Sequence, residues 1–213
     1  MERTPIQQGS VLAKTLFESL GWAGTWMFSP TRIAQMAAFF AAKEPRSTIN
    51  IMKLIKLMYL SDRESLDRYG DPITFDNMFS LDEGPILSRS LNMINGVLSI
   101  ASAEAWDKWM SGRDQDHNVM VHRDFTRDDL DYLSDADLAV LQDVWGQFGH
   151  MDQWQLSDYT HEHCPEWQNP NGSRLPIDEA ELLKHLGRTK EDAAEIKQGI
   201  ENSRSLDRIL ARR

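Results

Sequence analysis

The sequence predicts a mainly α protein, a compact multi-helix globular domain built around a central buried helix, with one short strand or hairpin admissible on that scaffold. Two observations lead there. The run TINIMKLIKLMYLSDRESLDRYG, Thr48 to Gly70, holds the densest apolar block of the chain. Ile51, Met52, Leu54, Ile55, Leu57, Met58 and Leu60 are interrupted only by Lys53, Lys56 and Tyr59, so a helix made of them is apolar around most of its circumference and belongs inside a bundle. Elsewhere the apolar residues recur at helical spacing. The central block is too short and too charged to cross a bilayer, which takes about 20 mostly apolar residues.

Taken in order, residues 1–27 read as an N-terminal extension of no assigned role, with a short amphipathic helix around Leu12, Leu16 and Leu20. Lys14 and Glu18 interrupt its apolar run and no small-residue cleavage pattern follows, so no signal peptide is expected. Ser29-Pro30 then opens a helix, the serine capping and the proline at the first helical position, where its missing N–H costs nothing. Ile33, Met36, Ala37 and Phe40 give that helix a half-buried stripe, and Pro45 ends it. Thr48 or Asn50 caps the central helix, and Tyr69-Gly70-Asp71-Pro72 closes it with a turn.

Ile73, Phe75, Phe79 and Leu81 lie at even spacing, the pattern of a strand. Gly84-Pro85 is expected to restart a helix along Leu87, Leu91, Ile94 and Leu98, and residues 104–110 give a short one carrying Trp106 and Trp109. The polar stretch 113–127 reads as an exposed loop. Ser134 with Asp137 is a capping-box pattern opening a helix along Leu138, Leu141, Trp145 and Phe148. A shorter helix carrying Leu156, Tyr159 and Thr160 ends before Pro165. Residues 168–176 are a linker by composition, followed by helices from Asp178 to Leu186 and from Thr189 to about Leu210. The expected organisation is an extension over 1–27, a helical domain over 28–168, and a linker with C-terminal helices over 169–213.

Composition narrows the function. The formal net charge is −10, from 23 basic and 33 acidic residues. That balance argues against direct nucleic-acid binding and against an anionic membrane surface, and favours a basic partner. A single cysteine, Cys164, excludes an internal disulfide and fits a reducing, cytoplasmic location. Seven Trp and ten Met are core or interface material.

Candidate chemistry is sparse. His161, His163 and Cys164 invite a metal-dependent or cysteine hydrolase reading, since His and Cys are the usual zinc ligands. Two histidines two residues apart on a helix point about 200° apart, however, and no second Cys or activating motif accompanies them. Neither G-x-x-x-x-G-K-[ST] nor G-x-G-x-x-G is present, so no cofactor is expected. Asp128, Asp129, Asp131, Asp135 and Asp137 lack the spacing of a calcium loop and read as a solvated acidic face. Arg204, Arg208 and Arg212 recur every fourth residue, as basic residues favoured by a helix C-terminus do.

One pattern goes further. Lys53-Leu54-x-Lys56-Leu57-x-Tyr59, Tyr69-Gly70-x-Pro72, Gly84-Pro85-Ile86, and Leu156 through Thr160-His161 with Pro165 and Trp167, in that order, resemble the Panacea domain of the SocA-like antitoxin family. The resemblance runs from about Ser29 to Trp167. Asp82-Glu83 departs from it, standing where the family commonly carries an aromatic residue or other bulk. The resemblance implies an antitoxin of a bacterial or phage module that neutralises a cognate protein toxin by direct binding, and it implies no enzyme. A proteolytic adaptor, handing a partner to a cellular protease, is a third reading. Lys53, Lys56 and Tyr59 are the candidate toxin-contacting residues. The expectation for them is either one wet stripe beside acidic neighbours or the border of a partner surface, because buried lysines need their charges paired or their stems extended to water.

Overall fold

The computed structural model describes residues 28–97 and 99–210. The expected N-terminal helix and residues 211–213 lie outside it. Eight helices and five short strands follow one another: α1 (Pro30–Ala41), β1 (Thr48–Asn50), α2 (Ile51–Tyr69), β2 (Met78–Leu81), β3 (Gly84–Leu87), α3 (Ser88–Ile94), α4 (Ile100–Asp107), β4 (Asn118–Met120), α5 (Asp135–Phe148), α6 (Gln153–His163), β5 (Leu175–Pro176), α7 (Glu179–His185) and α8 (Lys190–Leu210). The fold is mainly α, as the periodicity predicts.

Helix α2 is the axis. Asn50, not Thr48, caps it, its side chain accepting from the Met52 amide, while Gly70 ends it in the left-handed conformation at φ 76°. A residue without Cβ is the inexpensive choice there. Leu54, Leu57, Met58, Tyr59 and Leu66 are wholly inaccessible, and α1, α5, α6 and β3 all pack on this helix. Thr48 belongs instead to β1, which pairs antiparallel with β4 in the register Thr48↔Met120, Ile49↔Val119 and Asn50↔Asn118. The polar 113–127 stretch is thus partly tied down, with Val119 and Val121 buried.

The second departure lies between residues 73 and 95. A hairpin does form, but as β2 and β3, with Met78↔Leu87 and Leu81↔Gly84 paired around the Asp82-Glu83 turn. Gly84-Pro85 therefore begins a strand rather than a helix. Its helical successor α3 starts only at Ser88, because the capping group comes from elsewhere in the chain. The buried Asp76 carboxylate accepts from the amides of Arg89 and Ser90 at 3.0 and 2.7 Å, and from the Ser90 hydroxyl at 2.9 Å. Those amides are the orphan donors of the first turn. α3 ends at Ile94, and Gly96 follows with φ 77°, so the expected helix stops short; Leu98 lies outside the described residues.

The expected linker is likewise structured at its end. Leu175 and Pro176 pair with Ser80 and Phe79, making the sheet order β3-β2-β5. Beyond it, Leu182, Leu183, Ala193 and Ile200 join the same core as α2. Arg204 works there as a clamp. Its guanidinium donates to the Phe75 and Asp76 carbonyls and pairs with Glu179 at 2.5 Å, which gives it a tertiary role beyond complementing a helix end. No described helix is long and apolar enough to cross a membrane.

Candidate functional site

The residues that carry the resemblance converge from three directions on one joint. α2 supplies Lys56 and Tyr59 from successive turns, the β2–β3 turn supplies Gly84-Pro85, and the end of α6 with the residues after it supplies Thr160, His161, Pro165 and Trp167; Lys53, one turn earlier on α2, meets the end of α5 and Glu44 instead. Tyr69, Gly70 and Pro72 fall outside this joint, at the far end of α2.

Lys53 and Lys56 form no wet stripe; both are buried, and the expectation is corrected for a physical reason visible at each ammonium. Lys53 Nζ donates to the Gly149 carbonyl at 2.7 Å and pairs with Glu44 at 2.5 Å, so its charge is compensated. Lys56 is 1% exposed, and its Nζ donates to the Pro85 carbonyl at 3.0 Å. Burial lowers its pKa to about 7, against weaker opposing influences of Cys164 and Glu83. Near neutrality this amine is held between its two protonation states.

Tyr59 is fully buried, and its hydroxyl donates to Glu166 Oε1 at 2.6 Å. Burial first, and the Glu166 carboxylate second, push its pKa well above the usual phenol value. Arg63 Nε shares the same oxygen at 2.8 Å, so Glu166 ties α2 to the segment following α6. Glu166 carries no part of the resemblance, and only its position two residues after Cys164 could have drawn notice. Tertiary contact alone identifies it as the partner of Tyr59.

Gly84 shows how tightly the joint closes. A Cβ built on it would lie 2.5 Å from Lys56 Nζ, 2.7 Å from Thr160 Oγ1 and 3.3 Å from His161 Nε2, and its φ is +102°. Only glycine fits, on both counts. Ser157 Oγ donates to the Glu83 carbonyl at 2.8 Å, Thr160 Oγ1 to the Ser157 carbonyl at 2.9 Å, and Trp167 Nε1 to the Leu81 carbonyl at 2.8 Å. The hairpin turn is thus fastened to α6 and to the chain after it.

His161 and His163 are held against different neighbours. His161 lies against Trp167 with ring centroids 4.1 Å apart, whereas His163 stacks on Tyr159 at 4.3 Å. Cys164 is buried, and burial followed by the nearby Glu166 carboxylate pushes its thiol up to about 12, so no thiolate nucleophile is available near neutrality. Among the described residues no three His, Cys, Asp or Glu side chains are placed to hold a metal ion. Four of the five aspartates from Asp128 to Asp137 cap or pair: Asp129 accepts from the Thr126 amide and hydroxyl, Asp131 from Gln35, Asp135 from Arg127, and Asp137 from the Ser134 amide.

Among the clefts on the described surface are two shallow ones. One, of about 340 Å³, lies where the end of α2 meets α8, between Tyr69, Asp71, Arg188 and Ile196. The other, of about 300 Å³, lies between the end of α5 and α6, bordered by Met151, Asp158, Tyr159, Glu162 and His163. Exposed aromatics stand near both, Tyr69 at the first and Trp154 on α6.

Comparison with known families matches residues 54–168 to the family described as antitoxin SocA-like, Panacea domain. The match opens on α2 and closes just after Trp167, so it spans the whole buried joint. No curated protein and no solved structure matches the chain.

Proposed function

The chain belongs to the SocA-like antitoxin family of Panacea domains, and from that premise we propose that it is the antitoxin of a toxin–antitoxin module, binding a cognate protein toxin directly and covering its active site or target-binding surface. The observation that carries this reading is the family match over 54–168. The joint adds physical support. Its lysine, tyrosine and glutamate are consumed by internal bonding, which suits a rigid binding scaffold better than a reaction centre, because reacting groups must reach a substrate.

Within this reading, Lys53, Lys56 and Tyr59 act on the partner indirectly. Lys56 and Tyr59 fix how the hairpin turn and the segment after α6 sit on α2, Lys53 fixes the end of α5 there, and the toxin meets surfaces those elements present. Lys53→Glu and Lys56→Glu therefore lower stability and neutralisation together, since each leaves an uncompensated buried charge.

The test is co-expression with the protein encoded by the neighbouring gene. Growth inhibition by that protein, relieved by this chain and accompanied by a co-purifying complex, is the expected result. Absence of both relief and complex overturns the proposal.

A further inference from the structure

The charge of this protein is not spread over the chain. From Asp128 to Ser173 there are ten acidic residues and no Lys or Arg, whereas the totals are 33 acidic and 23 basic. The remaining residues are therefore balanced at 23 of each, and the whole net charge of −10 resides in the segment that builds α5 and α6. Several of these acids are already answered. Asp143 pairs with Arg68, Asp135 with Arg127, Asp129 with Arg123 and Glu166 with Arg63.

On the outer face of α6 the acids are not answered. Asp158 and Glu162 are exposed and make no ion pair among the described residues. Four residues apart, they lie on one face of the helix with Trp154, four residues before Asp158. Trp154 is 56% exposed, whereas Trp106 and Trp109 are buried and Trp145 and Trp167 half-buried. Beside this row lies the cleft of about 300 Å³, lined by the stacked rings of Tyr159 and His163 together with Asp158 and Glu162. Aromatic rings and carboxylates together match a guanidinium, which stacks on rings and pairs with carboxylates.

We propose that the α6 face is the docking surface for the toxin, and that the partner presents a basic face to it. An arginine enters the Tyr159–His163 cleft to pair with Asp158 and Glu162, while Trp154 seats in an apolar recess of the partner. Concentrated negative charge steers a basic partner to this face, and the exposed tryptophan supplies the kind of aromatic anchor on which binding energy concentrates. The hairpin turn holds the inner side of the same helix through the bond from Ser157 to the Glu83 carbonyl, so the docking face is presented on a rigid support. This assignment rests on the antitoxin reading above.

The experiment uses the full chain and the neighbouring-gene protein, with growth rescue and binding affinity as readouts. The variant is Trp154→Ala combined with Asp158→Lys and Glu162→Lys. Its control is Glu191→Lys, which reverses an exposed charge on α8. The expected result is a loss of affinity of about 30-fold or more for the triple variant, the scale of an interface hot spot, with rescue abolished and the control unaffected. The unmodified chain should also associate more slowly as salt is raised. If the triple variant melts below the unmodified chain, Asp158→Lys alone is compared under the same readouts. Rescue by the unmodified chain together with undiminished binding by the variants overturns the docking surface while leaving the antitoxin reading intact. Failure of the unmodified chain to rescue overturns both.

Discussion

At the scale of single residues, the joint is governed by groups that have nowhere else to go. Gly84 is the clearest. Replacing it with alanine puts a methyl group on Lys56 Nζ and Thr160 Oγ1 and forces an L residue into φ +102°. We expect Gly84→Ala to cost about 2 to 4 kcal/mol, seen as a lowered midpoint in urea denaturation. A second residue sets a pH dependence. Asp62 is fully buried, accepts from the Thr74 amide at 3.0 Å and from the Thr74 hydroxyl, and is pushed by burial to a pKa of about 7. Unfolded, the same carboxyl titrates near about 4. Between those values the folded chain holds a proton that the unfolded chain has released, so its contribution to stability is present below pH 4 and is lost as the pH rises to 7. Asp62→Asn keeps an acceptor for Thr74 and removes the titration. Denaturation curves at pH 4.5 and 7 should show the variant gaining on the wild type by about 1 to 3 kcal/mol over that interval; parallel curves would exclude Asp62 as the titrating group.

Helices and strands are held in place by capping and clamping groups from distant parts of the chain. α3 is only seven residues long and has no side-chain cap of its own. Asp76, on the loop before β2, supplies the acceptors for its first turn. That loop contains Phe75 at φ 53°, a left-handed conformation unusual for a bulky side chain, and Arg204 of α8 donates to both the Phe75 and Asp76 carbonyls. α8 therefore stabilises α3 through a loop that neither helix contains. Removing the clamp with Arg204→Ala leaves buried carbonyls without that donor and Glu179 without its charge partner. The expected cost is about 2 to 3 kcal/mol. Hydrogen exchange should rise in residues 71–77 and at the start of α3 before it rises in α2, and uniform exchange across the chain would refute the coupling.

Considered whole, the molecule separates an inward-facing polar system from an outward-facing acidic one. The inward system was half legible. Lys56, Tyr59, Gly84-Pro85 and Thr160-His161 stand out in the sequence as the blocks that resemble one family. That Lys56 donates to Pro85, or that Tyr59 meets Glu166 over a separation of 107 residues, has no local signature. The lysines looked like surface residues because a charge on an apolar helix is normally exposed, and only the carbonyls and carboxylates brought up by other elements make burial affordable. Gly84-Pro85 looked like a helix start because helix openings use the same residue types as tight hairpins. Pairing with β2, a long-range choice, decided between them.

Legible in the sequence are the elements whose causes are local: the central helix with its Gly70 end and a cap narrowed to Thr48 or Asn50, the Ser29-Pro30 and Ser134/Asp137 helix openings, and the family to which the ordered blocks belong. Apolar periodicity and caps act within a few residues of each other, so they can be read without knowing the fold. Tertiary structure alone decided where Gly84-Pro85 goes, which carbonyls and carboxylates receive the buried lysines and tyrosine, and how Asp76 and Arg204 hold α3. Those outcomes depend on groups far apart in the chain meeting in a space from which water is excluded. There an unpaired polar atom is costly, so the partner that happens to be near becomes the one that the structure requires.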